Sequence, residues 1–148
     1  MGRTPQRSEC WSLRQVSLAA GVSLATARAV VRNGHLDPQR LTAVDALVLR
    51  VAAMLPALQP YGELRPANAA RSVPARERSA VEAVRNAGLG LPDLATLVVT
   101  ETTVCLATSL SGVSASTLEP VSSGTAYLAL PVGRWARELL AETTAAAA

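Results

Sequence analysis

The 148-residue sequence predicts an α+β fold, with a helical N-terminal module followed by a small C-terminal module of antiparallel strands flanked by helices. Apolar residues recur every three to four positions over the first 58 residues, which indicates amphipathic helices. Apolar runs with β-branched residues between positions 94 and 130 indicate short strands. A proline-rich stretch lies between the two patterns. We therefore predict modules at residues 8–58 and 75–143, joined by a linker at residues 59–74.

Three helices are predicted in the N-terminal module, at residues 13–20, 24–33 and about 42–55. Each of the first two follows a serine that can cap a helix and precedes a glycine that can end it. These four residues are Ser12, Gly21, Ser23 and Gly34. The third helix is predicted from its apolar face, which consists of Val44, Leu47, Val48, Val51 and Leu55.

The C-terminal module is predicted to contain a helix, three strands and a final helix. The first helix spans residues 75–87, and residues 94–99 and 104–110 form a β-hairpin. The Ser/Gly-rich segment 111–124 is predicted to be a loop, and residues 125–130 alternate as a third strand. The last helix has an apolar face made of Val132, Trp135, Ala136, Leu139 and Leu140.

The composition argues against several classes of protein. Two cysteines, Cys10 and Cys105, are too few for a disulfide scaffold and lack metal-ligand spacing. With His35 as the single histidine and no evident nucleophile–base pair or phosphate loop, we expect no catalytic residues, metal or cofactor. No apolar run reaches the ~20 residues of a membrane span. The first ten residues lack the apolar core of a signal peptide. We therefore expect a cytoplasmic protein without membrane contact.

Positive charge is concentrated at the front of the chain. All fourteen basic residues are arginines, and residues 1–50 hold seven of them against three acids. Residues 51–100 hold five against four acids, and residues 101–148 hold two against four. A basic N-terminal part suggests a polyanionic partner, most often nucleic acid. A solvated basic surface is the alternative explanation.

Residues 12–36 carry the pattern that is most informative about function. Two short helices meet at the three-residue turn 21–23, where Gly21 can adopt a left-handed conformation and Val22 can pack between the helices. A helix with small residues, a hydroxyl and two arginines on its outer face can lie in a DNA major groove. The expected inward residues are Leu24, Ala27, Val30 and Val31, and the outward ones are Ala25, Thr26, Arg28, Ala29 and Arg32.

The segment LAAGVSLATARAVVRNGHL resembles the helix-turn-helix of MerR-type winged-helix regulators. The residues that match the motif are Leu18, Ala19, Gly21, Val22, Ser23, Thr26, Arg28, Gly34 and Leu36. The next segment, LTAVDALVLRVAAML, resembles the helix that follows the wing in that family, with Thr42 and Asp45 at its start. The resemblance covers about residues 11–56 and implies a domain that binds double-stranded DNA.

The sequence departs from the family in three respects. Ala29 and Val30 stand where aromatic residues are usual, and the wing is shortened to HLDPQR. The long dimerising coiled coil is replaced by a module that we do not recognise. Metal or drug sensing therefore does not transfer, and the sequence does not identify an effector.

The resemblance and the helix pattern together predict a set of DNA contacts. Arg28 can reach guanine or phosphate, Thr26 a phosphate or base edge, and Arg40 a phosphate from the wing. The full predicted set is Arg14, Ser23, Ala25, Thr26, Arg28, Arg32 and Arg40.

One short recognition helix covers few base pairs, so we predict a homodimer that reads two half-sites. The predicted dimer contacts are Tyr127, Trp135 and Leu139. We expect a nucleoid-associated transcriptional regulator with sequence-specific binding through helix 24–33. An architectural, recombination or plasmid-partition accessory protein is one alternative. A ligand-sensing or protein-interaction module is another.

Overall fold

A computed structural model describes residues 10–55, 67–101 and 103–147, with the backbone alone described at 67–75 and 143–147. The described chain has α+β architecture, with six helices and a three-stranded antiparallel sheet. The helices are α1 (Leu13–Ala20), α2 (Leu24–Arg32), α3 (Ala43–Met54), α4 (Ala67–Ala87), α5 (Leu110–Ser123) and α6 (Val132–Ala147). The strands are β1 (Thr96–Thr100), β2 (Val104–Ala107) and β3 (Tyr127–Leu130).

The three N-terminal helices form where the capping residues predict them. At α1, the Ser12 Oγ accepts from the Gln15 amide at 3.1 Å, and the Gln15 side chain accepts from the Ser12 amide at 2.8 Å. These reciprocal bonds satisfy two amides that a helix end leaves without partners. Gly21 then ends α1 with φ 68°, a left-handed conformation that glycine adopts without steric cost.

Helix α4 begins earlier than the sequence predicts. It starts at Ala67, so residues 67–74 of the predicted linker are helical and Pro74 lies inside the helix. A proline removes one amide donor and crowds the carbonyl four residues earlier, but it leaves the rest of the turn free to form. The alanine-rich segment before it favours helix strongly enough to continue. The remaining linker residues, 59–66, lie outside the described ranges.

The predicted hairpin is confirmed, and β3 completes the sheet in the order β2-β1-β3. Val98 pairs with Cys105 of β2 on one side and with Ala129 of β3 on the other. Both pairings are antiparallel. The central position of β1 explains its burial, since both of its edges are covered.

The prediction of a loop at residues 111–124 is wrong, because α5 occupies this segment. The Ser109 Oγ accepts from the Gly112 amide at 3.1 Å and caps the helix, and Gly124 ends it with φ 72°. Hydroxyl side chains inside the helix donate back to carbonyls of the preceding turn, as Thr117 does to Val113 at 3.0 Å. Serine and threonine thus find partners without leaving the helix, and their abundance does not require a loop.

Buried residues from both predicted modules form one hydrophobic core. Helix α3 is at its centre and packs against α1, α2, α4 and α6. Leu97 and Val99 of β1 belong to this core, whereas Val98 and Thr100 face α5 on the other side of the sheet. Leu140, predicted on the apolar face of the last helix, is instead exposed.

Arg85 of α4 connects the later part of the chain to the N-terminal helices. Its Nη1 donates to Asp45 Oδ1 at 2.9 Å, and its Nη2 donates to the His35 carbonyl at 2.8 Å. The Asp45 carboxylate is almost fully buried and also accepts from the Thr42 amide at 2.6 Å. Asp45 therefore holds the start of α3 and anchors α4 with a single side chain.

Candidate nucleic-acid interface

The turn between α1 and α2 fixes how the two helices meet. The Gly21 amide donates to the Leu18 carbonyl at 3.2 Å, and the Val22 amide donates to the Ser17 carbonyl at 3.0 Å. The side chain of Val22 is half-buried against the core, as the sequence predicts. These bonds use carbonyls at the end of α1 that would otherwise lack partners, so the turn is well defined.

Helix α2 has one face in the core and one face in solvent. Ala27 and Val30 are buried, whereas Ala25, Arg28 and Arg32 are exposed. Residues 25, 28 and 32 follow the three- and four-residue spacing of one helix side, so they form a continuous ridge. We call these three residues the α2 ridge. The side chain of Ala25 is short, which lets another molecule approach the backbone beside Arg28, at the N-terminal end of the ridge.

Ser23 and Thr26 form the N-terminal end of α2. The Ser23 Oγ accepts from the Thr26 amide at 3.2 Å and donates to the Thr26 Oγ1 at 2.9 Å. The Ser23 hydroxyl is therefore used as a helix cap. Thr26 is half-buried, and its own hydroxyl hydrogen remains for an acceptor outside this pair.

The loop between α2 and α3 presents Arg40 on a short turn. The Asp37 side chain accepts from the Gln39 amide, and the Asp37 carbonyl accepts from the Arg40 amide, both at 3.0 Å. Residues 33–42 form no β-hairpin. Leu41 in this segment instead forms an isolated β-bridge with Trp11, in which the Trp11 amide donates to the Leu41 carbonyl at 2.9 Å.

Ion pairs divide the arginines whose side chains are described into two groups, apart from Arg76, which is buried and donates to the Thr100 carbonyl at 3.3 Å. Arg14, Arg28, Arg32 and Arg40 are exposed and have no carboxylate partner among the described residues. Arg78 of α4 is also exposed and has no carboxylate partner among the described residues. The paired arginines are Arg50 with Glu138 at 3.3 Å, Arg85 with Asp45 at 2.9 Å, Arg134 with Glu138 at 3.7 Å, and Arg137 with Asp93. Of the five exposed arginines without a described carboxylate partner, four thus lie on α1, α2 and the loop after α2, and the fifth lies on α4.

Two of the three predicted dimer contacts lie inside the protein. Trp135 is 8% exposed and Leu139 is 3% exposed, and both belong to the core. The guanidinium of Arg50 also covers the Trp135 ring at 4.3 Å. Trp135 and Leu139 of α6 pack against the protein's own core, so their side chains have little surface left for a partner. Tyr127 is half-buried on the edge strand β3.

Exposed apolar side chains lie instead on α5, which the sequence analysis missed. Leu110, Leu118 and Val121 are 73%, 65% and 59% exposed. At 100° per residue they fall within one side of the helix. The signal that could have found them is the pair of caps, Ser109 and Gly124, on either side of a helix-length segment.

Two further features are absent from the described residues. No three His, Cys, Asp or Glu side chains there come together to hold a metal ion. In the same ranges, none of the helices has the length and apolar character needed to cross a bilayer.

No family model matches the chain, and no curated protein or solved structure matches it either.

Proposed function

We propose that this protein binds double-stranded DNA sequence-specifically through a MerR-like helix-turn-helix, with α2 in the major groove. The observation that carries the proposal is the α2 ridge, where two exposed arginines without carboxylate partners stand beside a small residue. A guanidinium can donate two parallel hydrogen bonds to the O6 and N7 atoms of guanine or to a phosphate. A carboxylate partner would compete for these donors.

The end of α2 adds a second set of donors. The first amides of a helix have no partner within the helix and carry partial positive charge, which favours a phosphate there. Ser23 caps one of them, and the hydroxyl hydrogen of Thr26 remains as a side-chain donor. In this arrangement phosphate contacts from the N-terminus of α2 and from Arg40 set the register, and Arg28 reads a base.

A second copy of the chain supplies the recognition helix that binds the second half-site of the DNA. One recognition helix gives too small an interface for tight specific binding, and a dimer doubles the number of contacts. We assign the dimer surface to the exposed side of α5, with Leu110, Leu118 and Val121. This helix carries one charged residue, Glu119, so two copies can approach with little repulsion. Transcriptional regulation is the use that such a dimer suits best.

Selection of binding sites from random DNA at two salt concentrations tests the proposal. We expect Arg28→Ala to cost about 1–3 kcal/mol of binding free energy and to change the preferred sequence. Arg40→Ala should weaken all sequences alike and reduce the salt dependence. The matched control is Arg78→Ala, which removes the same charge from an exposed and unpaired arginine on α4. Equal effects of Arg28→Ala and Arg78→Ala would contradict the assignment of α2.

The selected sequences separate the possible uses. Inverted repeats support a dimeric regulator, and direct repeats support an architectural or recombination accessory role. Weak binding that vanishes with salt and has no preferred sequence would overturn the proposal of sequence-specific recognition.

The dimer surface has its own test in analytical ultracentrifugation. Leu118→Glu should convert a dimer to a monomer, because two carboxylates would be buried face to face. Leu94→Glu changes an exposed leucine outside α5 and should leave the mass unchanged. A Leu118→Glu protein that stays folded and dimeric would exclude this surface.

A further inference from the structure

A cavity of about 270 Å³ lies between α5 and the outer face of the sheet. Val98 of β1 and Pro120 of α5 give it an apolar base, and the rest of its lining is mostly hydroxyl side chains. Its volume lies just below the ~300–1,000 Å³ that is usual for ligand pockets, so it suits a small molecule. It lies on the side of the sheet opposite the hydrophobic core and does not involve α1 or α2.

Four hydroxyls of this cavity form two pairs, and the fifth, that of Ser116, lies against the Cys105 sulfur. The Oγ1 atoms of Thr100 and Thr103 are 2.7 Å apart, and the Oγ atom of Ser123 is 3.0 Å from the Oγ1 atom of Thr125. Each hydroxyl has one hydrogen and two lone pairs. A bond between two hydroxyls uses one hydrogen and one lone pair. The Ser123 hydroxyl hydrogen is directed to the Glu119 and Pro120 carbonyls of its own helix, at 3.1 and 3.3 Å, so Thr125 donates to Ser123 and both oxygens meet a ligand as acceptors.

Glu119 adds negative charge to this acceptor-rich lining. Its carboxylate has no cationic partner among the described residues, and no arginine or histidine contributes to the cavity wall. An ammonium or guanidinium group supplies several donors and a positive charge, and it has no acceptor to compete with the lining. A neutral polyol can donate through its hydroxyls, but it leaves the charge of Glu119 without a partner.

We infer that this cavity binds a small organic cation through a primary ammonium or a guanidinium group. Glu119 pairs with the charge, the hydroxyls of Ser116, Ser123 and Thr125 accept hydrogen bonds, and Val98 with Pro120 contacts the aliphatic part. The site shares no residue with the predicted DNA contacts or with the three apolar side chains of the proposed dimer surface, although it uses the other side of α5.

Isothermal titration calorimetry of the full chain tests the inference with agmatine, putrescine and 1,4-butanediol as probes. Putrescine and butanediol have the same four-carbon chain, but only putrescine carries ammonium groups. We expect the two cations to bind and butanediol not to bind. Absence of binding by agmatine and putrescine at millimolar concentration would overturn the inference, as would equal binding of butanediol.

Substitutions locate the site. Glu119→Gln keeps the shape of an exposed side chain and removes its charge, and we expect affinity for agmatine to fall at least tenfold, which corresponds to about 1.4 kcal/mol. The matched control is Glu82→Gln, because Glu82 is exposed and unpaired on α4. Equal affinities of the two variants would place the bound cation elsewhere and contradict the assignment.

Cys105 provides a second readout that does not depend on the heat of binding. Its thiol is exposed in the cavity wall, 3.3 Å from the Ser116 Oγ, whereas Cys10 lies outside it. In a Cys10→Ser background, agmatine should slow alkylation of Cys105, and Glu119→Gln should remove this protection. An alkylation rate unchanged by saturating agmatine would show that the cavity is not occupied.

Discussion

Arg85→Ala is expected to destabilise the protein by about 2–3 kcal/mol, since it removes the two hydrogen bonds that Arg85 of α4 donates to Asp45 and to the His35 carbonyl. A hydrogen bond to a charged group contributes about 1.5–3 kcal/mol, with more when a buried partner is left unsatisfied. The Asp45 carboxylate is 3% exposed and loses its counter-ion, which favours the upper part of that range. The Arg85 side chain is 40% exposed, and Asp45 keeps its bond from Thr42, which both lower the cost.

Urea unfolding followed by far-UV circular dichroism measures this loss. In thermal unfolding it should appear as a decrease in Tm of roughly 6–12 °C. Arg85→Lys keeps the charge but loses the two-pronged geometry, so we expect an intermediate effect. The control is Arg78→Ala on the same helix, which should change stability by no more than about 0.5 kcal/mol.

A double-mutant cycle with Asp45→Asn separates the pair from the single side chains. We expect the two changes to be non-additive by about 1–3 kcal/mol, because the partners are in contact. Additive effects, or an Arg85→Ala protein as stable as Arg78→Ala, would refute the role of this pair in holding α4.

Two further substitutions test how α5 and α6 are fixed. Gly133→Ala should cost about 3 kcal/mol in urea unfolding, since its added methyl would meet a backbone nitrogen at 2.8 Å and a carbonyl oxygen at 2.9 Å within residues 92–95. Gly90→Ala, which meets nothing within 4 Å, should stay within about 0.5 kcal/mol, and similar losses for both would refute the clash. Ser109→Ala should lower the free energy of unfolding by about 1 kcal/mol by removing the cap of α5, whereas Ser111→Ala should have no such effect. Indistinguishable Ser109 and Ser111 variants would mean that the cap does not hold the helix.

The N-terminal helices could be predicted because their signals are local. Ser12, Gly21, Ser23 and Thr42 stand at the helix ends, and each acts through a residue at most three positions away or through its own φ angle. The outward positions of Ala25, Arg28 and Arg32 were predicted for the same reason, because helix periodicity alone turns them away from the buried side of α2. Thr26 and Ala29, also predicted outward, are half-buried.

The errors arose where tertiary packing decides the outcome. The sheet covers one side of α5, so a serine-rich segment with a proline at position 120 is held as a helix that its composition does not suggest. Trp135 and Leu139 were correctly placed on an apolar face. The residues that cover this face are distant in the sequence, so the local pattern does not identify them. In the structure the face packs into the protein's own core, and Arg50 lies over the Trp135 ring.

The two arginines of α2 differ in whether the stability of the helix favours a positive charge at their position. Arg32 lies in the last turn, where a positive charge interacts favourably with the helix dipole, so its place has a structural reason as well. Arg28 lies in the middle of the helix, four residues before Arg32, and two like charges at this spacing destabilise a helix by about 0.2–0.5 kcal/mol. No carboxylate among the described residues offsets this repulsion. Neutralisation by a bound polyanion would remove it, and for this reason Arg28 rather than Arg32 is the residue on which the DNA-binding proposal depends most.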